Sequence, residues 1–180
     1  MKADATSIPS AYQQAVLRWK QGHQIFHVLL VVMNTALEVS LDSVRHRDWS
    51  CVSSSLQRLT VLFNASTAVM KYSADFPRHL YEDLIRPSMM PPFLSPGFSG
   101  QLNTEHHVML ENFRNLRTML MKELGEVQQW PADLAKAWTS LVKSQVYNRK
   151  HHGLVCQKFV DGGTSLLREF YANKPDLSKE

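Results

Sequence analysis

The chain has 180 residues, of which 44% are hydrophobic and 20% charged, with a formal charge of +4, a size and balance suited to one globular domain with a real core. Lysines and arginines are scattered among acids instead of forming a stripe with aromatic residues between them, which argues against nucleic-acid binding, and Cys51 and Cys156 form neither a CxxC motif nor a secreted framework, which points to a reducing cytoplasm. The N-terminal MKADATSIPS lacks the apolar core of a signal peptide, and the most apolar run, Ile25 to Met33, contains His27 and is too short to span a bilayer, so neither export nor membrane insertion is expected.

With only seven glycines and no run of alternating Val, Ile and Thr, the composition predicts an all-α chain. The first helix is expected from about Ser10 to Arg45, because Ile25, Phe26, Leu29, Leu30, Met33 and Leu37 recur at helical spacing. A second should begin near Asp48 and end by about Ser73, with Leu56, Leu59, Phe63 and Met70 on one face. Between Asp75 and Asn103 five prolines and two glycines forbid a continuous helix. A long shaped loop is expected there, with a short helix around Leu80 to Ile85, and loops of that length in compact domains are usually functional.

Asn103 or Thr104 can cap a third helix carrying Met109, Phe113, Leu116, Leu120, Leu124 and Val127. Pro131 suits the first turn of a fourth, which holds Leu134, Trp138, Leu141, Val142 and Val146 and runs through His152 to Phe159 before Asp161-Gly162-Gly163 stops it. The expected architecture is a single-domain four-helix bundle with one elaborate loop, flanked by flexible tails at 1–10 and 172–180.

Six of the eight histidines fall in local groups: His23 with His27, His106 with His107, and His151 with His152. Counting 100° per residue puts His152 on the face of Leu141, Gln145, Cys156 and Phe159, so it should point inward, either as a hydrogen-bonded core histidine or as a proximal heme ligand. His151 points about 100° away and is the weaker candidate. Trp19, His23 and His27 are four residues apart and share one side of the first helix. They read either as partly buried polar groups or, with Glu105 and His106, as a non-heme metal site. Arg86 stands between Ile85 and Pro87, where a guanidinium can hold a carboxylate through two parallel hydrogen bonds or simply cap a short helix. Gly97-Phe98-Ser99-Gly100 permits close approach by a ligand or makes an ordinary turn. Gly162-Gly163-Thr164-Ser165 reads as a helix stop or as a flap over a ligand.

The order of these features resembles the tryptophan 2,3-dioxygenase superfamily, which includes indoleamine dioxygenase, over roughly Trp19 to Arg168. The resemblance rests on His23-Gln24 with Trp19 one turn earlier, on Asp48-Trp49, and on the Tyr81 to Arg86 segment, whose spacing is one residue longer than the family's. It continues through Ser99-Gly100 and the helix from Glu105 to His152, Gly163-Thr164 and Leu167-Arg168. It implies a heme b cofactor with His152 as the axial iron ligand, and Ser99 and Gly100 against the cofactor. It places His23 beside the substrate ring as the catalytic residue, Arg86 on the substrate carboxylate, Trp19 and Tyr81 along an aromatic pocket, and Thr164 closing it. The function so implied is oxygenation of an indole or related aromatic amino acid with O2 by a homo-oligomeric enzyme. A tyrosine-like ring oxygenated once is the nearest variant. The alternatives are a non-catalytic heme or aromatic-ligand binding protein and a non-heme di-iron or zinc enzyme.

Overall fold

The computed structural model describes residues 10–95, 98 and 103–160. Its four long helices are α1 (Ser10–Arg45), α2 (Trp49–Ser73), α3 (Thr104–Leu124) and α4 (Ala132–Phe159), and no strand occurs among the described residues. The fold is all-α, as composition and periodicity predict. Helix ends follow local chemistry. The Asp48 side chain accepts from the Cys51 N–H to start α2, and the Asn103 side chain accepts from the His106 N–H to start α3. Gly125, at φ 70°, ends α3 in a backbone conformation that side-chain-bearing residues rarely adopt. The Trp130 indole N–H then donates to the Gly125 carbonyl at 2.9 Å and pins the turn into α4.

Contacts between helices set their directions. Gly22 of α1 meets Ser73 at the end of α2, so these two run antiparallel. Asn34 bonds Glu105 and Arg47 bonds Glu123, so α1 and α3 run the same way. Asn148 bonds Ser66 and Thr67, and the Lys158 ammonium donates to the Ala74 carbonyl, so α2 and α4 also run the same way. Because α3 begins opposite Asn34 while α1 starts at Ser10, the lower part of α1 has no α3 beside it. Its neighbours there are the end of α2, the segment after it and the end of α4.

That segment is more helical than its prolines suggest. Arg78–Leu80 is α-helical, Tyr81–Ile85 forms a π turn and Arg86–Ser88 returns to α. Pro87 is tolerated because it falls in the first turn of the last piece. Tyr12 donates to Asp83 and Arg18 pairs with Asp75, which ties the segment to α1.

The apolar interior falls into two clusters. The upper one contains Leu30, Leu37, Leu56, Leu59, Leu116, Leu120, Trp138 and Leu141, drawn from all four long helices. Burying each such leucine contributes about 1.5–3 kcal/mol before the entropy of ordering it. The lower one gathers Ala15, Phe76, Leu80, Tyr81, Ile85 and Phe159, with Trp19 packed against it. Polar side chains occupy the junction: Asn34, Ser66 and Thr67 are buried there, and Asn148 is half-buried.

α1 is also long and apolar enough to cross a membrane by length and composition, with hydropathy 1.5 over its most apolar window. Its inner face is a wall of both clusters, as expected of a core helix.

The tightest crossing is Gly22 against Ser73. A Cβ on Gly22 would overlap the Ser73 Cβ and lie 3.0 Å from its Cα, so backbone would have to move. Gly22→Ala is expected to lower stability by about 1–3 kcal/mol, the cost of forcing extra volume into a packed contact. Urea unfolding should show the lower midpoint; an unchanged midpoint would contradict the close crossing.

Candidate functional site

The site is built where the lower cluster meets the polar junction. Trp19 and His23 are one turn apart on α1, and their rings stack with centroids 4.2 Å apart. Trp19 lies 5.4 Å from Tyr81, Tyr81 lies 4.6 Å from Phe159, and Phe98 approaches the other side of His23 at 5.1 Å. A continuous aromatic wall therefore runs from Phe98 through His23 and Trp19 to Tyr81 and Phe159.

His23 is held in one protonation state. Its Nδ1 is 2.8 Å from the Trp19 carbonyl, which can only accept, so Nδ1 carries the hydrogen. Burial pushes the imidazole below its ordinary pKa, only partly offset by that hydrogen bond. The neutral ring thus keeps an Nε2 lone pair available as an acceptor beside an aromatic wall.

The π turn accounts for Arg86. Five α-helical steps would leave Tyr81 and Arg86 about 140° apart. Instead the Arg86 N–H bonds the Tyr81 carbonyl five residues back, and the wider turn brings the two toward one face. The Arg86 charge stabilises the Tyr81 phenolate, although burial dominates and the Tyr81 hydroxyl sits above its usual pKa. Arg86 is half-buried, and no carboxylate pairs with it among the described residues.

His152 departs from expectation. It is exposed on α4 instead of pointing inward, because this far down the described part of α3 offers only its first turn, at His106, beside that face. Its Nδ1 is 3.8 Å from the Cys156 Sγ one turn on. The pair shifts in concert: hydrogen bonding to Cys156 raises the His152 pKa, and hydrogen bonding to His152 lowers that of Cys156. His106 at the start of α3 is close enough to feel His107 and His152, and burial followed by these charges lowers its pKa. His151 instead bonds the Tyr147 carbonyl at 2.9 Å and stacks on the Tyr147 ring.

Cys156 contacts His152, a pairing that sequence reasoning did not single out. The signal was its four-residue spacing from His152. Ser99, Gly100 and Thr164 lie outside the described residues, as do the terminal tails. The non-heme grouping of His23, His27, Glu105 and His106 is not assembled: among the described residues no three metal-type side chains converge. His27 is exposed, and Glu105 is engaged by Asn34 through both its carboxylate, at 2.7 Å, and its carbonyl, at 3.0 Å.

Protonation of His23 carries a stability consequence. Its folded pKa is depressed, so the unfolded chain binds the proton first as pH falls below the ordinary histidine value of about 6.5. Stability from this group is complete above that value and is lost as pH falls toward the folded pKa. Wild type should therefore lose more stability between pH 7 and pH 5 than His23→Gln, read by denaturant unfolding; parallel losses would place the imidazole in water.

The family model for SfmD 3-methyl-L-tyrosine peroxygenase matches residues 2–137, a span that ends within α4 before His152. A 3-methyl-L-tyrosine peroxygenase of Streptomyces lavendulae is 29% identical over 160 residues, 88% of this chain and 42% of the relative. The chain thus spans less than half the length of that relative, and no solved structure matches it. With three quarters of its length matched by the family model, the chain belongs to the SfmD 3-methyl-L-tyrosine peroxygenase family.

Proposed function

We propose that the chain oxygenates the ring of an aromatic amino acid of the tyrosine class with the help of heme. The observation that carries the reading is the neutral His23, whose Nε2 faces outward from its Trp19 bond in an aromatic wall that ends near Arg86, which no carboxylate among the described residues pairs. A tyrosine-like ring has a hydroxyl donor for that nitrogen, a π face for Trp19 and Phe98, and a carboxylate for the guanidinium. Family membership supports the tyrosine ring over the indole suggested by the wider resemblance to tryptophan dioxygenases. The relative's name supports a peroxide as oxidant, with O2 as the competing choice.

The donor set fits heme. His152 uses Nδ1 toward Cys156, which leaves Nε2 without a partner among the described residues, and its exposure leaves room for a large planar group. His152 would hold the heme iron through Nε2, with His106 facing the same region. A heme held there would supply the activation of the oxidant. The chain's own side chains do the rest. Arg86 fixes the carboxylate, Trp19 and Tyr81 hold the ring by stacking, and His23 accepts the hydrogen bond that sets which ring edge is presented. Cys156 orients the ligand histidine.

Three measurements test this. The protein supplied with heme should show a Soret band, which His152→Ala should abolish at unit stoichiometry while His151→Ala keeps it. Loss of the band in His151→Ala alone would move the ligand by one residue. Given tyrosine or 3-methyl-tyrosine with hydrogen peroxide, the holoprotein should yield a singly oxygenated product by mass, and a product formed only with O2 and a reductant would reassign the oxidant. Arg86→Lys should weaken amino-acid binding by about 1.5–3 kcal/mol, the range for hydrogen bonds to charged groups. Equal weakening for the amine lacking the carboxylate would contradict its role.

A further inference from the structure

α1 carries a second apolar face that, over its middle, no other described helix covers. Leu30, Leu37 and Val44 point into the core, whereas Ile25, Val28, Val31 and Val39 are exposed, Val28 at 60%. On the outer side Gln21, Ile25, Val28, Val32, Thr35 and Val39 follow a strict four-three-four-three-four spacing, the seam a paired helix requires. Val32 is half-buried and the others are exposed. A helix apolar on both sides is normally covered on both.

Charge decides what fits. The N-terminal part of α1 carries Arg18 and Lys20, the C-terminal part carries Glu38 and Asp42 ahead of Arg45, and no charged residue lies between Lys20 and Glu38. Arg18 is engaged by Asp75 and Gln21 accepts from the Tyr72 hydroxyl, which bounds the free seam at its lower end. A second α1 laid antiparallel along the seam puts the basic end of each copy against the acidic end of the other. Val28 then faces Val32 of the other copy and Ile25 faces Thr35, with each pair repeated by the two-fold axis. Val31 lies on that axis, and Gln24 comes beside Glu38. Parallel pairing would set like charges against like. We propose that a second copy of this chain covers the outer face of α1 as an antiparallel, two-fold helix pair. The His23 and Trp19 side chains lie on the opposite side of the helix, so the pairing leaves the candidate site open.

From Gln21 to Val39 the seam is about 28 Å long at 1.5 Å per residue. A strip of that length and about 10 Å width falls short of the 1,200–2,000 Å² buried in typical stable complexes. The pair should therefore be reversible and depend on concentration.

Sedimentation equilibrium of the full chain across a dilution series tests the proposal, with helix content followed by circular dichroism. Wild type should pass from monomer to dimer, and Val28→Lys should raise the dimer dissociation constant at least about 100-fold at unchanged helicity, since it buries an unpaired ammonium against Val32 of the other copy. Gln24→Lys should tighten the dimer, because it adds opposite charges beside Glu38 of the other copy, and Gln24→Glu should loosen it. These opposite effects should shrink in high salt. A wild-type monomer at every concentration would overturn the proposal, as would a dimer indifferent to Val28→Lys or an equal response to the two Gln24 variants. Co-sedimentation of a monomer with phosphatidylcholine–phosphatidylglycerol vesicles, lost in Val28→Lys, would overturn it in favour of a lipid surface.

Discussion

The level at which α3 starts governs the lower half of the molecule. Asn103 caps the helix, and Asn34 grips both the carbonyl and the carboxylate of Glu105, so α3 begins beside the middle of α1. Had α3 continued downward, it would have completed an ordinary bundle and buried His23, His106 and the end of α4 against apolar neighbours. Instead the lower end is closed by the 78–88 helical run, which packs Leu80, Tyr81 and Ile85 under α1. The bundle therefore changes partners along its length, and the functional groups collect at the change.

The same geometry explains the electrostatics. Imidazoles exposed to water titrate near neutrality and lose a fixed role. His23 avoids this by burial and by donating to the Trp19 carbonyl, while His152 and Cys156, on a more open surface, stabilise each other's charged forms. The neutral form of one histidine is favoured by burial, and the charged form of the other by a neighbouring sulfur. Two environments on one scaffold thus shift two imidazoles in opposite directions.

Much of the fold was legible because it depends on local signals. Caps at Asp48 and Asn103 and Pro131 at the head of α4 place the long helices, and four-residue spacing alone pairs Trp19 with His23, whereas the stop at Gly125, which ends α3 before Val127, was overridden by apolar spacing. What was not legible depends on partners distant in sequence. Angular counting puts His152 on the face of Leu141, but whether that face is covered depends on where α3 begins, which α4 does not encode. The π turn at Tyr81–Ile85 was also invisible to a 3.6-residue period, although the one-residue-longer Tyr-to-Arg spacing is what such a turn absorbs. Prolines misled at Pro87, which sits in a first turn where its missing N–H costs little.

Asn34 shows how tightly the junction is constrained. It is almost fully buried inside a helix otherwise lined by Leu30, Met33 and Leu37, and its Oδ1 has no protein partner among the described residues. A buried acceptor left in that condition costs about 1–3 kcal/mol, so an apolar residue would pack more favourably if packing were the only demand. An apolar residue, however, could not hold Glu105. Without the two donations from Nδ2, nothing would favour starting α3 at this level over letting it slide along α1, because apolar contacts are non-directional and tolerate such a shift. The hydrogen bonds are directional, and one of them is to a charged oxygen. The junction thus gives up some stability at Asn34 for a fixed helix register, and that register sets His106 near His152 and leaves the lower part of α1 to the 78–88 run.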